Sequence, residues 1–149
     1  LNLFSAVRMI RATLPSMRQR GGGSVLTVTS MAVKEPIDVL ILSNVMRSGV
    51  TSLIKSLSVQ LAVDKIRLNN LMPGRIKTDR IKQLDTLKAN KQGISIEQIE
   101  KSNQALIPLG RYGTIDEFGR CGAFLLSDAA SYITGSSLAA DGGLIKTVW

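Results

Sequence analysis

Ser24-Val25-Leu26-Thr27-Val28-Thr29-Ser30 and, after a loop carrying Pro36, Ile41-Leu42-Ser43-Asn44-Val45-Met46-Arg47 decide how this chain folds. The first run is short, rich in β-branched residues and without strong alternation, which predicts a parallel strand buried on both faces. The second opens a stretch to Ala62 that places Val45, Val50, Leu53, Ile54, Leu57 and Leu61 largely on one helical face. Upstream, Leu3, Val7, Ile10, Leu14 and Met17 recur at helical spacing and end at the Gly21-Gly22-Gly23 stop. Pro15 is expected to kink or shorten that helix, because it lacks a donor and clashes one turn back. Downstream, Ile66-Arg67-Leu68-Asn69-Asn70-Leu71-Met72 reads as a second strand closed by Pro73-Gly74. Thr114 and Glu117 form a capping box that opens a helix through Phe118, Ala123, Phe124 and Leu125, and Ser137-Leu138-Ala139-Ala140 gives a last short strand. Helix and strand therefore alternate three times, the pattern of a layered α/β sheet with parallel strands and right-handed crossovers.

Between these landmarks the stretch 79–107 is polar and lysine-rich. Its capping-box pattern at Ser95 and Gln98 predicts a short helix inside a mobile, lid-like insertion. The 149 residues, 44% hydrophobic, suffice for one compact domain over 1–149. The start, Leu1-Asn2-Leu3-Phe4, has no initiator methionine and no basic leader, so the chain is expected to begin mid-protein. No apolar run reaches the length that spans a bilayer, which argues against a membrane partner. The single cysteine, Cys121, cannot close an internal disulfide; it fits a reducing cytoplasm and is expected to be a small core residue on a helix. A formal charge of +8 raises nucleic acid as a partner, but the cations are dispersed over Arg8, Arg11, Arg18, Arg20, the Lys77 to Lys91 stretch and Lys101, without interleaved aromatics. Solvated helix faces explain them better than a nucleic-acid surface.

Chemistry is bounded first by inventory. The chain has no histidine, so Cys/His metal sites and the Ser-His-Asp and Cys-His hydrolytic arrangements are excluded, and no metal site is expected. There is no Gly-x-Gly-x-x-Gly or Walker-type loop; Gly21-Gly22-Gly23 precedes a strand and cannot lay phosphate on a helix N-terminus. What remains is Ser30, whose hydroxyl stands at the carboxyl edge of the sheet, where open α/β sheets bind ligands.

At this point the chain resembles the short-chain dehydrogenase/reductase family. That family's pattern is a helix-borne Asn, a strand-end Ser, a Tyr-x-x-x-Lys on the next helix, a Pro-Gly after the following strand and a C-terminal Asp-Gly-Gly. Asn2 opens the first helix as the family's Asn does, and Ser30 follows at the family's usual separation. Ser43 then stands at the tyrosine position and Arg47 at the lysine position, in register with the run Lys55-Ser56-Leu57-Ser58. An alternative register that aligns Ser43-Asn44 with the family's Ala-Ser-Lys would put Leu40 and Asn44 at the catalytic positions and break both flanking spacings. Leu71-Met72-Pro73-Gly74-Arg75-Ile76-Lys77-Thr78 resembles the segment that contacts the nicotinamide end of the cofactor. Pro108-Leu109-Gly110-Arg111, Phe124-Leu125-Leu126-Ser127-Asp128, Tyr132-Ile133-Thr134-Gly135 and Asp141-Gly142-Gly143 extend the likeness to the end of the chain.

The resemblance implies the C-terminal part of a Rossmann-like, doubly wound parallel sheet, the N-terminal dinucleotide-binding half lying outside the chain. It implies NAD or NADP as cofactor, a carbonyl or alcohol substrate, and a homodimer or homotetramer joined through the helices from Leu3 and Ile41 and through the last strand. The 3-oxoacyl carrier-protein reductase branch is the nearest in character. Site residues carried over are Ser30, Asn2, Ser43 and Arg47 for catalysis, and Arg47, Pro73, Gly74, Ile76 and Thr78 for the cofactor. In the family reaction the tyrosine phenol exchanges a proton with the substrate oxygen, while the lysine lowers the phenol pKa and holds the ribose. An aliphatic hydroxyl such as that of Ser43 is far less acidic and shorter, and the permanent charge of Arg47 relays no proton. Two functions follow: an oxidoreductase with an altered proton donor, or a non-catalytic binding or oligomerisation protein. Tyr112 and Tyr132 lie in segments that resemble structural motifs and are not expected to replace the phenol.

Overall fold

The computed structural model describes residues 2–148. Three strands, β1 (Gly23–Val28), β2 (Ile66–Pro73) and β3 (Ser137–Ala140), form one parallel sheet in the order β1-β2-β3. Gly23 pairs with Ile66 and Val28 with Leu71, while Asn70 pairs with Ser137 and Pro73 with Ala140. Strand β1, expected to be buried on both faces, is instead an edge strand that is only partly covered, with Val28 exposed, whereas the central strand is almost wholly buried. Alternation in its surroundings survives: Ile66 and Leu68 join Ile10, Val50, Ile54 and Leu61 in a core under α1 (Asn2–Gln19) and α2 (Ile41–Gln60). On the opposite face Leu26 and Leu71 meet α5 (Ile115–Leu126) at Gly122, where an added Cβ would lie 3.3 Å from Leu26 Cδ2. The chain is thus an α/β layer with helices on both faces of a parallel sheet.

Several sequence expectations need correction. Helix α1 continues through Pro15 to Gln19; Pro15 is exposed, and packing of Leu14 and Met17 against the core holds the turn that a proline by itself weakens. Val45 faces outward at 61% exposure, unlike Val50 and Ile54 on the same helix, so the buried stripe of α2 starts one turn later than its periodicity suggests. Cys121 sits on α5 only partly buried. The largest departure is the insertion, which holds two helices, α3 (Asp79–Gln92) and α4 (Ile96–Ala105), closed by Gly93 in the left-handed region. The capping box at Ser95 and Gln98 forms as expected, but it opens the second helix. The first was invisible because its buried positions, Asp85 and Ala89, are not a hydrophobic stripe.

The other capping box also forms: Thr114 Oγ1 accepts from Glu117 N at 3.1 Å and Glu117 Oε2 accepts from Thr114 N at 2.8 Å. Arg111 adds a two-pronged pair to the same carboxylate, at 2.9 and 2.6 Å. These donors, Arg111 first and the Thr114 amide next, hold the Glu117 carboxyl down at about 2. A folded-state value below the unfolded one means stability that is present above the unfolded pKa and lost as pH falls from about 4.5 to about 2. Comparing urea midpoints of the parent and Glu117→Gln should show a gap at pH 6 that closes by pH 2. A gap independent of pH would contradict the assignment.

Candidate functional site

The carboxyl ends of β1 and β2 collect most of the residues singled out in the sequence. Ser30 follows β1 and caps a single 3-10 turn, its Oγ accepting from Ala32 N at 3.1 Å; as an acceptor there, the hydroxyl keeps its proton free to donate. Arg47, nearly two turns into α2, reaches the same strand end. Its Nη1 donates to Thr29 O at 2.8 Å and to Val28 O at 3.4 Å, and its Nε donates to Ser43 Oγ at 3.2 Å. The guanidinium therefore staples α2 to the end of β1 and orients the Ser43 hydroxyl, which also remains free to donate. Asn2 and Arg47 line one cavity of about 280 Å³ together with Thr29. Thr29 is 3% exposed and its Oγ1 has no hydrogen-bond partner among the described residues.

Pro73, Gly74, Ile76 and Thr78 line a second cavity, of about 290 Å³, with Ile81 and Phe118. Thr78 caps α3, its Oγ1 accepting from Ile81 N at 3.4 Å. Gly74 is packed so tightly that a Cβ would lie 2.5 Å from Asp141 Cα. The Asp141 turn is itself ordered, its carboxylate accepting from Gly143 N at 3.0 Å and from Ile145 N at 2.7 Å. The structure thus puts Asn2 and Arg47 around the first cavity and Pro73, Gly74, Ile76 and Thr78 around the second; Ser30 and Ser43 line neither.

Neither tyrosine lines either of these cavities. Tyr132 is fully exposed. Tyr112 is buried, and its hydroxyl donates to Asp85 Oδ2 at 2.7 Å. Burial first, and the adjacent Asp85 carboxylate next, push the Tyr112 phenol up from its ordinary value, the wrong direction for an acid at neutral pH. The Asp85, Asn103 and Tyr112 grouping was not anticipated from sequence, because isolated polar residues on three separate segments leave no periodic mark. Among the described residues no group of three or more His, Cys, Asp or Glu side chains could hold a metal, and no helix is long and apolar enough to cross a membrane.

An open parallel α/β sheet with its polar groups gathered at the carboxyl edge defines a nucleotide-binding type of enzyme fold. Comparison with known proteins narrows the class: a family model described as enoyl-(acyl carrier protein) reductase matches residues 1–145. The NADPH-dependent reductase BacG of Bacillus subtilis is 35% identical over 132 residues, covering 89% of this chain and 51% of that protein. Dehydrogenase/reductase SDR family member 4 of Oryctolagus cuniculus is 37% identical over 143 residues, covering 96% of this chain and 52% of that protein. The crystal structure of L-sorbose reductase from Gluconobacter frateurii, complexed with NADPH and L-sorbose, superposes with a TM-score of 0.93 at 29% identity, covering 99% of this chain and 57% of that one. The chain belongs to the short-chain dehydrogenase/reductase family. It spans about half the length of the curated relatives it matches.

Proposed function

We propose that this chain is the C-terminal part of an NAD(P)-binding oxidoreductase domain whose carbonyl chemistry is slow or absent, because Ser43 and Arg47 occupy the proton-donor and ribose-lysine positions. The observation that carries this is the Arg47 staple: its Nη1 and Nε are committed to Thr29 O, Val28 O and Ser43 Oγ. Arg47 Nη2 has no partner among the described residues, so it can hold a ribose hydroxyl. Bound nicotinamide cofactor supplies or accepts hydride, and the residues present fit it. Thr78 keeps its hydroxyl proton free for a carboxamide, and Pro73, Gly74 and Ile76 wall an apolar seat. Ser30, Ser43 and Asn2 can orient a substrate oxygen by hydrogen bonds. None can deliver a proton near neutral pH, since an aliphatic hydroxyl lies far from the range in which general acids work.

The relatives named as reductases and dehydrogenases support an enzyme ancestry, and a carbonyl or alcohol is the substrate class. The second reading, a non-catalytic binding or oligomerisation protein, is favoured by the same Arg47 staple. Exposed Phe4 and Met9 on α1 and Ile41 and Val45 on α2 support a homodimer or homotetramer, and partly exposed Cys121 suits the cytoplasm.

The test uses the full-length protein. Nicotinamide fluorescence on titration should report binding of NADH or NADPH, while a panel of ketones should give negligible turnover by loss of the reduced cofactor's absorbance. Ser43→Ala should leave both readings unchanged. Turnover in the parent that collapses in Ser43→Ala would overturn the proposal; slow turnover of any substrate keeps the oxidoreductase reading, and cofactor binding with no turnover at all would favour the second reading.

A further inference from the structure

The centre of the 79–107 hairpin is polar. Asp85, Asn103 and Tyr112 are 2%, 0% and 7% exposed, one from each of α3, α4 and the segment that follows. Asp85 Oδ2 accepts from the Tyr112 hydroxyl at 2.7 Å, and Oδ1 accepts from Asn103 Nδ2 at 2.9 Å. Asn103 Nδ2 also reaches the Tyr112 oxygen at 3.1 Å, and Asn103 Oδ1 accepts from Lys88 Nζ at 3.3 Å. The cation paired with this buried carboxylate is Arg75, whose Nη1 is 3.7 Å from Asp85 Oδ1.

Arg75 does not belong to the hairpin. It lies between Gly74 and Ile76, both of which wall the cavity at the end of β2. The same short segment is tied elsewhere by its backbone: Gly74 N donates to Ala140 O at 3.0 Å, Gly113 N donates to Arg75 O at 3.0 Å, and Lys77 N donates to Gly113 O at 2.8 Å. Tyr112 immediately precedes Gly113. One buried carboxylate therefore links both helices of the hairpin, the cavity segment 74–78 and the strand-like pairing of Ile76 with Gly113.

Apolar contacts would hold such a hairpin by amounts that fall off gradually with displacement. A buried, fully satisfied carboxylate behaves differently, because losing one partner leaves the others facing an uncompensated charge. We infer that Asp85 is a positioning residue and its cluster a latch: Arg75, Asn103 and Tyr112, acting on Asp85, fasten α3 and α4 to segment 74–78, so that the hairpin and the cavity wall hold or loosen together. Loss of the carboxylate's charge loosens the hairpin and the cavity wall in one step.

Amide hydrogen exchange by mass spectrometry on the folded protein, without ligand, reads this latch independently of cofactor binding and turnover. Asp85→Asn keeps the side-chain shape and removes the charge. Exchange should accelerate about ten-fold or more, and to a similar extent, in peptides covering 74–78, α3 and α4, with β1 and β2 unchanged. Unchanged exchange in all of them would overturn the latch. Faster exchange in α3 and α4 with 74–78 unaffected would overturn it as well, reducing the cluster to an internal staple. If Asp85→Asn accelerates the whole domain, Arg75→Met decides, since it trims a partly exposed side chain and leaves the hairpin's own bonds in place: coupled acceleration of 74–78 and α3 supports the latch, and parent-like rates in either overturn it.

Discussion

Replacing Ser43→Tyr together with Arg47→Lys should raise carbonyl turnover of the full-length protein by about 10²–10⁴-fold, the usual contribution of a positioned general acid. Both changes are needed. A phenol alone at position 43 titrates near its ordinary value of about 10 unless an adjacent cation favours its ionised form. Arg47 keeps its charge beside position 43, but its Nη1 is anchored on Thr29 O and Val28 O, which restricts how far the guanidinium can turn to serve a phenol and a ribose together. A lysine at 47 carries three rotatable donors on a flexible stem and can divide them between the strand end and a ribose hydroxyl. The order of rates should therefore be double variant, then Ser43→Tyr alone, then the parent and Arg47→Lys near background. Measured as loss of reduced-nicotinamide absorbance at saturating ketone, the gain should appear in kcat. A double variant that binds cofactor as the parent does and still shows background rates would mean that something besides the proton donor is missing.

The helix-to-strand alternation was legible from the short β-branched run at Val25 to Val28, from the apolar residues between Ile66 and Met72, and from the helical stripe of α1. So was the residue order at the sheet edge: Ser30 just past β1, Arg47 nearly two turns into α2, and Pro73 to Thr78 from the last residue of β2 onward. What remained hidden depended on tertiary context. Helix α3 buries Asp85 and Ala89, a pattern with no hydrophobic signature, and its centre is completed by Asn103 and Tyr112 from later segments. The unbroken course of α1 past Pro15 rests on core contacts of Leu14 and Met17 that no local propensity contains. The Arg47 staple was equally unreadable, since spacing puts Arg47 at the lysine position but says nothing of which carbonyls its guanidinium meets.

Gly74 joins fold and site most directly, and Gly74→Ala should be among the costliest single-methyl changes in the chain. Its φ lies outside the left-handed region, so backbone strain is not the reason. Space is: the new Cβ would lie 2.5 Å from Asp141 Cα, 2.6 Å from Asp141 Cβ and 3.1 Å from Asp141 O. Two of these three atoms are backbone, and they cannot swing aside as a flexible side chain would. The Asp141 turn is held by its carboxylate on Gly143 N and Ile145 N, and Gly74 N is bonded to Ala140 O, so either the β2 to β3 pairing parts or the turn unravels. Overpacking of this kind costs about 1–3 kcal/mol, and more where backbone must move. Urea unfolding should show a lowered midpoint with an unchanged slope, and the nicotinamide cofactor proposed for the cavity walled by Pro73, Gly74, Ile76 and Thr78 should bind more weakly to the full-length protein. Gly119→Ala on α5, where an added Cβ meets nothing within 4 Å, is the matched control and should be neutral or slightly stabilising through helix propensity. Equal destabilisation by the two substitutions would show that the close approach of Gly74 to Asp141 is not what holds the end of the sheet together.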